Sequence, residues 1–442
     1  MLRRSALLAV LLPLLAQGQR FYFENIGVQE NLPAQKVNAV LQDSSGLVWI
    51  GTEAGLASYD GVNVTPFSNG GDLAPNGVRC LLLDRDQHLW VGHLGGGLSR
   101  FDGLRWHMVQ LQGVKLSTDV TGITQDSTGA IWIGTFGEGV LRFSPGEAGS
   151  SPTAERIEEA QGANAQITGV VRLRDGRVCV LDATGAIQQW NAAASRFEPL
   201  TVPGVTDMHQ VTALYQDRSG SLWIGTTIGG AFRQDARTGM VEVFDLNRGL
   251  PSSIVLSFGE DAEGRIWIGT WDSGIARVDA RGVRRFTAGN GLHGNSVRCL
   301  ASDREGNMLI GTTHNGMDVF KGERFQNFGE DDGLMDREVW SVVEDKEGRI
   351  WFGTSGGIGI LDPDETSTAR VKTLSMQQGK LTSNRVRSLR IDQRGQIWVG
   401  TETGGLLELE PSLFRANAHE ELSPYIPELK VTALEVPVVG EM

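Results

Sequence analysis

Along most of this chain apolar and polar residues alternate in short runs, separated by turns rich in Asp and Gly. This is the pattern of half-buried β-strands. The stretch around residue 267 shows the unit most clearly. Ser253-Ile-Val-Leu-Ser-Phe-Gly-Glu-Asp261 predicts a first strand, a, and Asp261-Ala-Glu-Gly264 a hairpin turn. In such a turn Asp hydrogen-bonds its own backbone and Gly takes a positive φ. Arg265-Ile-Trp-Ile-Gly-Thr270 is a β-branched and aromatic strand b, Gly274-Ile-Ala-Arg-Val-Asp279 strand c, and Val283-Arg-Arg-Phe286 strand d. No stretch of the unit has the length or the 3.6-residue period of a helix.

The unit recurs. Aligned on Trp-Ile-Gly-Thr, nine copies have their anchors at Trp49, Trp90, Trp132, Cys179, Trp223, Trp267, Leu309, Trp351 and Trp398. Gly stands two positions after the anchor in eight copies and Asp six positions before it in eight. The fourth copy is the degenerate one, with Cys179 for Trp and Leu181 for Gly. A four-stranded unit of this length repeated many times indicates an all-β fold, a β-propeller of four-stranded blades. The recurring Trp is expected to fill the layer between blades, Gly to allow close backbone approach, and Asp to form turns. Arg20-Phe-Tyr-Phe-Glu24 matches the entry to strand d in other copies, as in Arg285-Phe-Thr287 and Arg324-Phe-Gln326. The expectation is therefore one ring of nine blades over residues 19–415, closed by an N-terminal strand that completes the last blade and removes an exposed edge. Nine exceeds the usual range of about four to eight blades, and a smaller ring plus leftover units is the competitor.

Composition adds three points. The 58 Gly and 11 Trp against 4 Tyr reflect repeated slots, and 40% hydrophobic residues are enough for a packed core. The formal charge of −13 argues against a phosphate-backbone partner, so no nucleic acid is expected. Arg3 and Arg4, the apolar stretch Ala6–Leu15 and Ala16-Gln17-Gly18 together read as a secretory signal peptide over 1–18. The apolar core is too short to span a bilayer, and no Cys follows the site to carry a lipid. Cys80, Cys179 and Cys299 are the only cysteines and read as small buried hydrophobes.

The unit Asp-x-x-Gly-x-Ile-Trp-Ile-Gly-Thr-x-x-Gly-Gly-Leu resembles the two-component regulator propeller repeat, over residues 21 to about 415. That resemblance implies the periplasmic ligand-sensing region of a bacterial transmembrane receptor with a histidine kinase or diguanylate cyclase transmitter. Such propellers precede a Tyr-rich β-sandwich, and Leu422–Val436 within residues 416–442 is similar to its first strand. The resemblance also implies a periplasmic location, an inner-membrane anchor in the full-length form, and a receptor dimer through downstream domains. This chain carries fewer repeats than full receptors and no transmitter element. No catalytic residue, cofactor or metal is expected in it.

Chemical motifs are sparse. The seven His form no metal-spaced cluster, and there is no nucleophile elbow or phosphate loop. The Glu330-Asp331-Asp332 run reads as solvated loop. Ligand contacts are expected on the propeller face that carries the b–c and d–a loops, from Trp271, Phe136, His314, Asn315, His93, Glu53, Arg337 and Asn384. His209 is a further d–a candidate. Trp271 and Phe136 lie outside the structural Trp slot and are natural stacking platforms for a flat ligand. The expected partner is a small molecule of unknown identity, with carbohydrate among the classes the resemblance implies. A stand-alone exported interaction scaffold is one alternative. A propeller lyase of the streptogramin type is the other, and it would need His93, His209 and His314 to converge.

Overall fold

A computed structural model describes residues 21–67, 73–74, 76–146, 152–157, 166–205, 210–322, 333–362, 371–378 and 381–409. The expected signal-peptide segment 1–18, His209, the Glu330–Asp332 run and the 416–442 tail lie outside these residues. The chain divides into two compact units, 21–325 and the remainder.

The strands form where the alternation places them. In the sixth repeat they are Val255–Glu260, Ile266–Thr270, Ile275–Asp279 and Gly282–Phe286, all antiparallel neighbours in one sheet. Gly264 sits at φ +79° and its N–H donates to the Asp261 carbonyl at 3.0 Å, which makes the predicted turn.

The Asp of each turn has a second task that its turn chemistry alone does not reveal. In the third repeat Oδ1 of Asp126 accepts the backbone N–H groups of Thr128 and Ala130, while Oδ2 accepts Nε1–H of Trp132 at 2.8 Å. The same indole bond joins Trp49 to Asp43, Trp90 to Asp84, Trp223 to Asp217, Trp267 to Asp261 and Trp351 to Asp345, at 2.7–2.8 Å. At Trp398–Asp392 it is 3.3 Å. Burial by itself would raise the Asp126 carboxyl, but the bonds from Thr128 and Trp132 outweigh it and hold the group below its ordinary value. The seventh repeat offers the contrast. Leu309 has no N–H to give, Asn307 substitutes at 2.7 Å, and burial leaves the Asp303 carboxyl raised.

Neighbouring sheets meet through the conserved Gly slot. A Cβ on Gly51 would lie 2.5 Å from Cγ1 of Val78, the first residue of strand a in the second sheet. Glycine therefore lets that fully buried Val press against the preceding sheet. A polar bond repeats beside it: Arg85 N–H donates to Oε1 of Gln125 in the third sheet at 2.9 Å. Apolar clusters fill the space between sheets, each combining residues of two repeats, as with Trp132, Val140 and Ile157 against Ile167, Val170 and Val180.

These contacts also show how the first unit ends. The strand Phe23–Ile26 pairs antiparallel with Met317–Phe320, register Phe23↔Phe320 to Ile26↔Met317, and is the outer strand of the seventh sheet. The seventh sheet then meets the first through the repeated contacts: a Cβ on Gly311 would lie 2.7 Å from Cγ1 of Val37, and Arg304 N–H donates to Oε1 of Gln42 at 2.8 Å. Leu309, Met317 and Val319 share one core cluster with Val48, Ile50 and Ala57. Seven sheets thus follow one another around a closed circuit within residues 21–322. The expected ring of nine, with the N-terminal strand completing the ninth unit, is corrected. The strand plays the expected d role, but in the seventh sheet. Its aromatics explain the choice, for Phe21 and Phe23 lie 4.8 and 6.0 Å from Phe286, and Phe23 lies 5.0 Å from Phe320.

The other unit contains a four-stranded sheet (Val339–Glu344, Ile350–Thr354, Ile358–Leu361, Val371–Leu374) and a three-stranded one (Val386–Ile391, Ile397–Thr401, Leu406–Leu409). Val386 is fully buried, whereas Val339, its counterpart in the preceding repeat, is 41% exposed.

Two outcomes are expected. Trp132→Phe keeps an aromatic ring in the layer but removes part of the buried side chain and leaves the Asp126 oxygen without its indole donor, a loss of at least about 1–3 kcal/mol read as a lowered urea midpoint. The second concerns the closing strand, where Oδ1 of buried Asp318 contacts Nδ1 of His293 at 2.8 Å and accepts from Asn25 of the first strand at 2.8 Å. The bond to Asp318 raises the His293 pKa above its ordinary value of 6.5. A raised folded-state pKa gives stability that is complete below the unfolded value and is lost as pH rises through the folded one. The melting-temperature gap between the native chain and His293→Asn should therefore be widest in mildly acidic buffer and shrink on raising pH. A gap that is constant with pH would remove the charged pair from the account.

Candidate functional site in the ring channel

The inner strands a line the axis of the seven-sheet unit, and their second residues point into it. In order these are Asn38, Arg79, Thr121, Thr168, Thr212, Leu256 and Arg298, and all seven border one cavity of about 540 Å³. The size is that of a small-molecule site.

Three of the seven secure the ring. Asn38 Nδ2 donates to the Val78 carbonyl and Thr121 Oγ1 to the Ile167 carbonyl, both at 2.8 Å, and Thr212 donates likewise to Val255. Three other polar atoms are unspent. Thr168 Oγ1, Asn38 Oδ1 and Arg298 Nε are buried without a hydrogen-bond partner. Among the described residues neither Arg79 nor Arg298 forms an ion pair. Burial presses the Arg298 guanidinium below the ordinary arginine value, and the Arg79 charge adds to the effect, with Cys299 and Glu53 opposing it.

The cavity is widened by the degenerate fourth repeat. Leu173 replaces the turn Asp and Cys179 the Trp, so the polar pair is exchanged as a pair, for two buried apolar side chains in one cluster. Leu181 occupies the Gly slot and packs into the same cluster as Val211, Leu214 and Ile224 of the fifth sheet. A bulky side chain where glycine normally admits the next sheet holds the two apart. Their inner strands lie less closely together than any other neighbouring pair in the ring. Here the cavity reaches Asp182, Ala183, Gly185, Gln210 and Thr227. Asp182 Oδ1 is engaged by Thr184 and by the Ala186 N–H.

The channel mouth is framed by a repeated backbone bond, from the residue after strand b to the residue before strand a. Ala183 N–H donates to Gln166 at 2.9 Å and Thr227 to Gln210 at 3.2 Å, with Phe136 to Asp119 and Trp271 to Ile254 in the flanking repeats. Phe136 and Trp271 are thus at equivalent rim positions on either side of the widened sector, and they are 46% and 47% exposed. Glu53 holds the equivalent place in the first repeat, 3.4 Å from Lys36. His314 is exposed in the seventh repeat. Asn315 beside it serves the closing strand, its carbonyl accepting Asn25 Nδ2 at 2.8 Å. Arg337 and Asn384 belong to the other unit, where Arg337 is exposed and Asn384 Oδ1 accepts the Met376 N–H at 2.7 Å.

His93 is corrected. It is fully buried, with Nε2 at 2.9 Å from Ser99 Oγ and Nδ1 at 3.2 Å from the Asn76 carbonyl, and burial lowers its pKa. It fills the Thr slot from inside and offers nothing to a ligand at the mouth. Cys179 is fully buried, and Cys80 and Cys299, partly exposed as residues where they border the channel cavity, pack against apolar clusters, burial pushing their thiols up to about 12. The sequence reading missed Arg79 and Arg298, although the signal was there. Placed in one column after the first Val or Ile of strand a, they are the two cations among the seven repeats of the ring, in a set otherwise of Asn, Thr and Leu, while Trp340 and Arg387 hold the column in the other unit.

Asp84, Asp86 and His88 bring ligand-type atoms within 4.8 Å of one another. Both oxygens of Asp84 are engaged, by Trp90 and by backbone N–H groups, and Arg100 Nη2 lies 3.0 Å from His88 Nδ1. A cation already beside the ring nitrogen makes this a poor metal site.

A family model for the two component regulator propeller matches eight stretches, 31–54, 72–95, 115–137, 205–227, 249–272, 291–314, 333–356 and 380–403. The chain belongs to the two-component regulator propeller family. The unmatched repeat is the fourth, the one whose Asp, Trp and Gly slots are all replaced. No curated protein matches the chain. Among solved structures it is similar to the extracellular domain of the hybrid two component system BT3049 from B. thetaiotaomicron, at 21% identity and TM-score 0.63, covering 89% of this chain and 54% of that one. The extracellular domain of the one component system BT4673 from the same organism gives 22% identity and TM-score 0.56, covering 88% and 52%. The chain thus spans about half the length of these two. Virginiamycin B lyase from Staphylococcus aureus gives 13% identity and TM-score 0.54, covering 68% of this chain and 98% of that one. These likenesses establish the propeller fold. Among the described residues no helix is long and apolar enough to cross a membrane.

His93→Ala tests the corrected assignment. It should cost about 1–3 kcal/mol of stability by removing the buried His93 contacts to Ser99 Oγ and the Asn76 carbonyl, read in urea, and leave any small-molecule affinity of the chain unaltered.

Proposed function

We propose that this propeller is the exported, ligand-sensing part of a bacterial transmembrane signalling receptor, its transmitter of histidine kinase or diguanylate cyclase type lying outside the chain. The observation that carries this reading is the channel cavity. In a ring otherwise joined by a repeated glycine contact, the one junction that lacks it has the most widely spaced inner strands, and the cavity that reaches it also borders unpaired polar groups on the axis. A purely structural ring has no need of either feature. The family and the likeness to extracellular domains of bacterial signalling systems support an exported location, which in this reading is the periplasm. A ligand seated in the channel touches inner strands of most sheets at once. It therefore favours one arrangement of the ring, which is what a sensor passes on. The lyase reading has less support, since among the described residues the channel lining includes no histidine.

Two measurements test the proposal. The coding sequence downstream of Met442 should continue in frame into a sandwich domain, a membrane-spanning helix of about 20 apolar residues and a transmitter. An immediate stop codon would replace the sensor reading with that of a stand-alone exported scaffold. For a small molecule found by calorimetric screening, Trp271→Ala should weaken affinity about three- to tenfold, the scale of one lost aromatic contact. Unchanged affinity would move the site away from this rim.

A further inference from the structure

The channel wall is electrostatically one-sided. Arg298, Asn38 and Arg79 stand at the same height on the seventh, first and second sheets, three consecutive members of the circuit, and all border the cavity. The two guanidinium groups therefore flank a single amide. Among the described residues neither has an ion-pair partner, and Arg298 Nε and Asn38 Oδ1 are buried with no hydrogen bond at all. Glu53, at the mouth above Asn38, is drawn to Lys36. The fourth sheet carries the cavity's carboxylate, Asp182, whose Oδ1 is held by its own turn. The middle of the wall between, Thr121, Thr168 and Thr212, is neutral.

Two like charges facing one confined space repel each other, and an unpaired buried N–H is costly. A protein of net charge −13 has no general excess of cations to scatter into its channel. Both costs vanish when an oxyanion sits between the arginines, because a planar guanidinium presents several N–H donors to a carboxylate, sulfate or phosphate. The neutral wall of Thr121, Thr168 and Thr212 then faces the uncharged remainder of the molecule.

Resting on the sensing role proposed above, we infer that the ligand of the channel is a small molecule bearing an oxyanion, which is seated between Arg79 and Arg298 beside Asn38. The positive wall sets its orientation, with the anionic end toward the first sheet and the uncharged end toward the widened junction of sheets four and five.

The test uses the full exported chain, with thermal unfolding as the readout. The probes are inorganic sulfate, inorganic phosphate and succinate, each against sodium chloride of equal ionic strength, and succinamide as a neutral match for succinate. At least one anion should raise the melting temperature saturably in the native chain, and Arg79→Gln and Arg298→Gln should each weaken the apparent affinity at least tenfold. Arg281→Gln, on an exposed turn remote from the channel, should respond as the native chain does. Which anion acts distinguishes a carboxylate ligand from a sulfate or phosphate one. A response that survives in the Arg79→Gln/Arg298→Gln double variant overturns the inference, as does a response to succinamide equal to that to succinate. Both results leave the sensing role standing, because they show a ligand held by other groups. A native chain indifferent to all four probes also overturns the inference, and the sensing role is then judged on its own two measurements. Melting of the unliganded variants at or above the native temperature would show that they remain folded and that the arginines do not stabilise the empty ring.

Discussion

In seven of the nine repeats one carboxylate ties three levels of structure together. Its first oxygen gathers the N–H groups of a four-residue turn, and its second fixes the indole of the Trp that fills the gap to the next sheet. Turn, strand pairing and sheet packing therefore share one atom group, and the geometry of each limits the others. The bond is worth more than its single hydrogen-bond energy suggests, because the indole is buried and has no water to turn to. The repeats that depart from the rule show the same logic. In the fourth, Asp and Trp are lost together and an apolar pair remains. In the seventh only the Trp is lost, and Asn307 takes over as donor.

Repetition at this level explains why the fold was so legible. The Asp, Trp and Gly columns located strands a and b to within a residue or two. The hairpin turns followed from Asp-x-x-Gly, and the d-strand character of the N-terminal segment was readable from Arg-Phe. The partner of that segment was not readable, because every repeat offers a similar strand c edge. The decision falls to side chains that a repeat consensus averages away: Phe286 and Phe320 receive Phe21 and Phe23, and Val37 meets Gly311 with the spacing found between other sheets.

The site was harder to read for a related reason. Consensus positions reveal structure, whereas binding depends on positions free to vary. Trp271 and Phe136 were visible as aromatics outside their slot, and both stand exposed on the rim. His93 was misread because a histidine in a threonine column looks like added chemistry, while its ring satisfies a buried hydroxyl and a carbonyl. Arg79 and Arg298 were overlooked because they lie within strands, next to the most regular residue of the repeat. Only the closed circuit shows that the position after that Val faces the axis.

The clasp between the first strand and the seventh sheet has a consequence for how the molecule is made. Asn25 and Asp318, hydrogen-bonded to each other, lie 293 residues apart. As the polypeptide emerges, the strand Phe23–Ile26 has no partner until Met317–Phe320 has followed. The intermediate sheets can pair locally in the meantime, each hairpin from its own repeat. The ring, however, stays an open arc with two raw edges, one waiting and one not yet formed. Such long-range closure is slow, and for its duration neighbouring chains can offer the missing strand to each other. Dilution therefore matters to the folding of this propeller more than its closed ring would suggest.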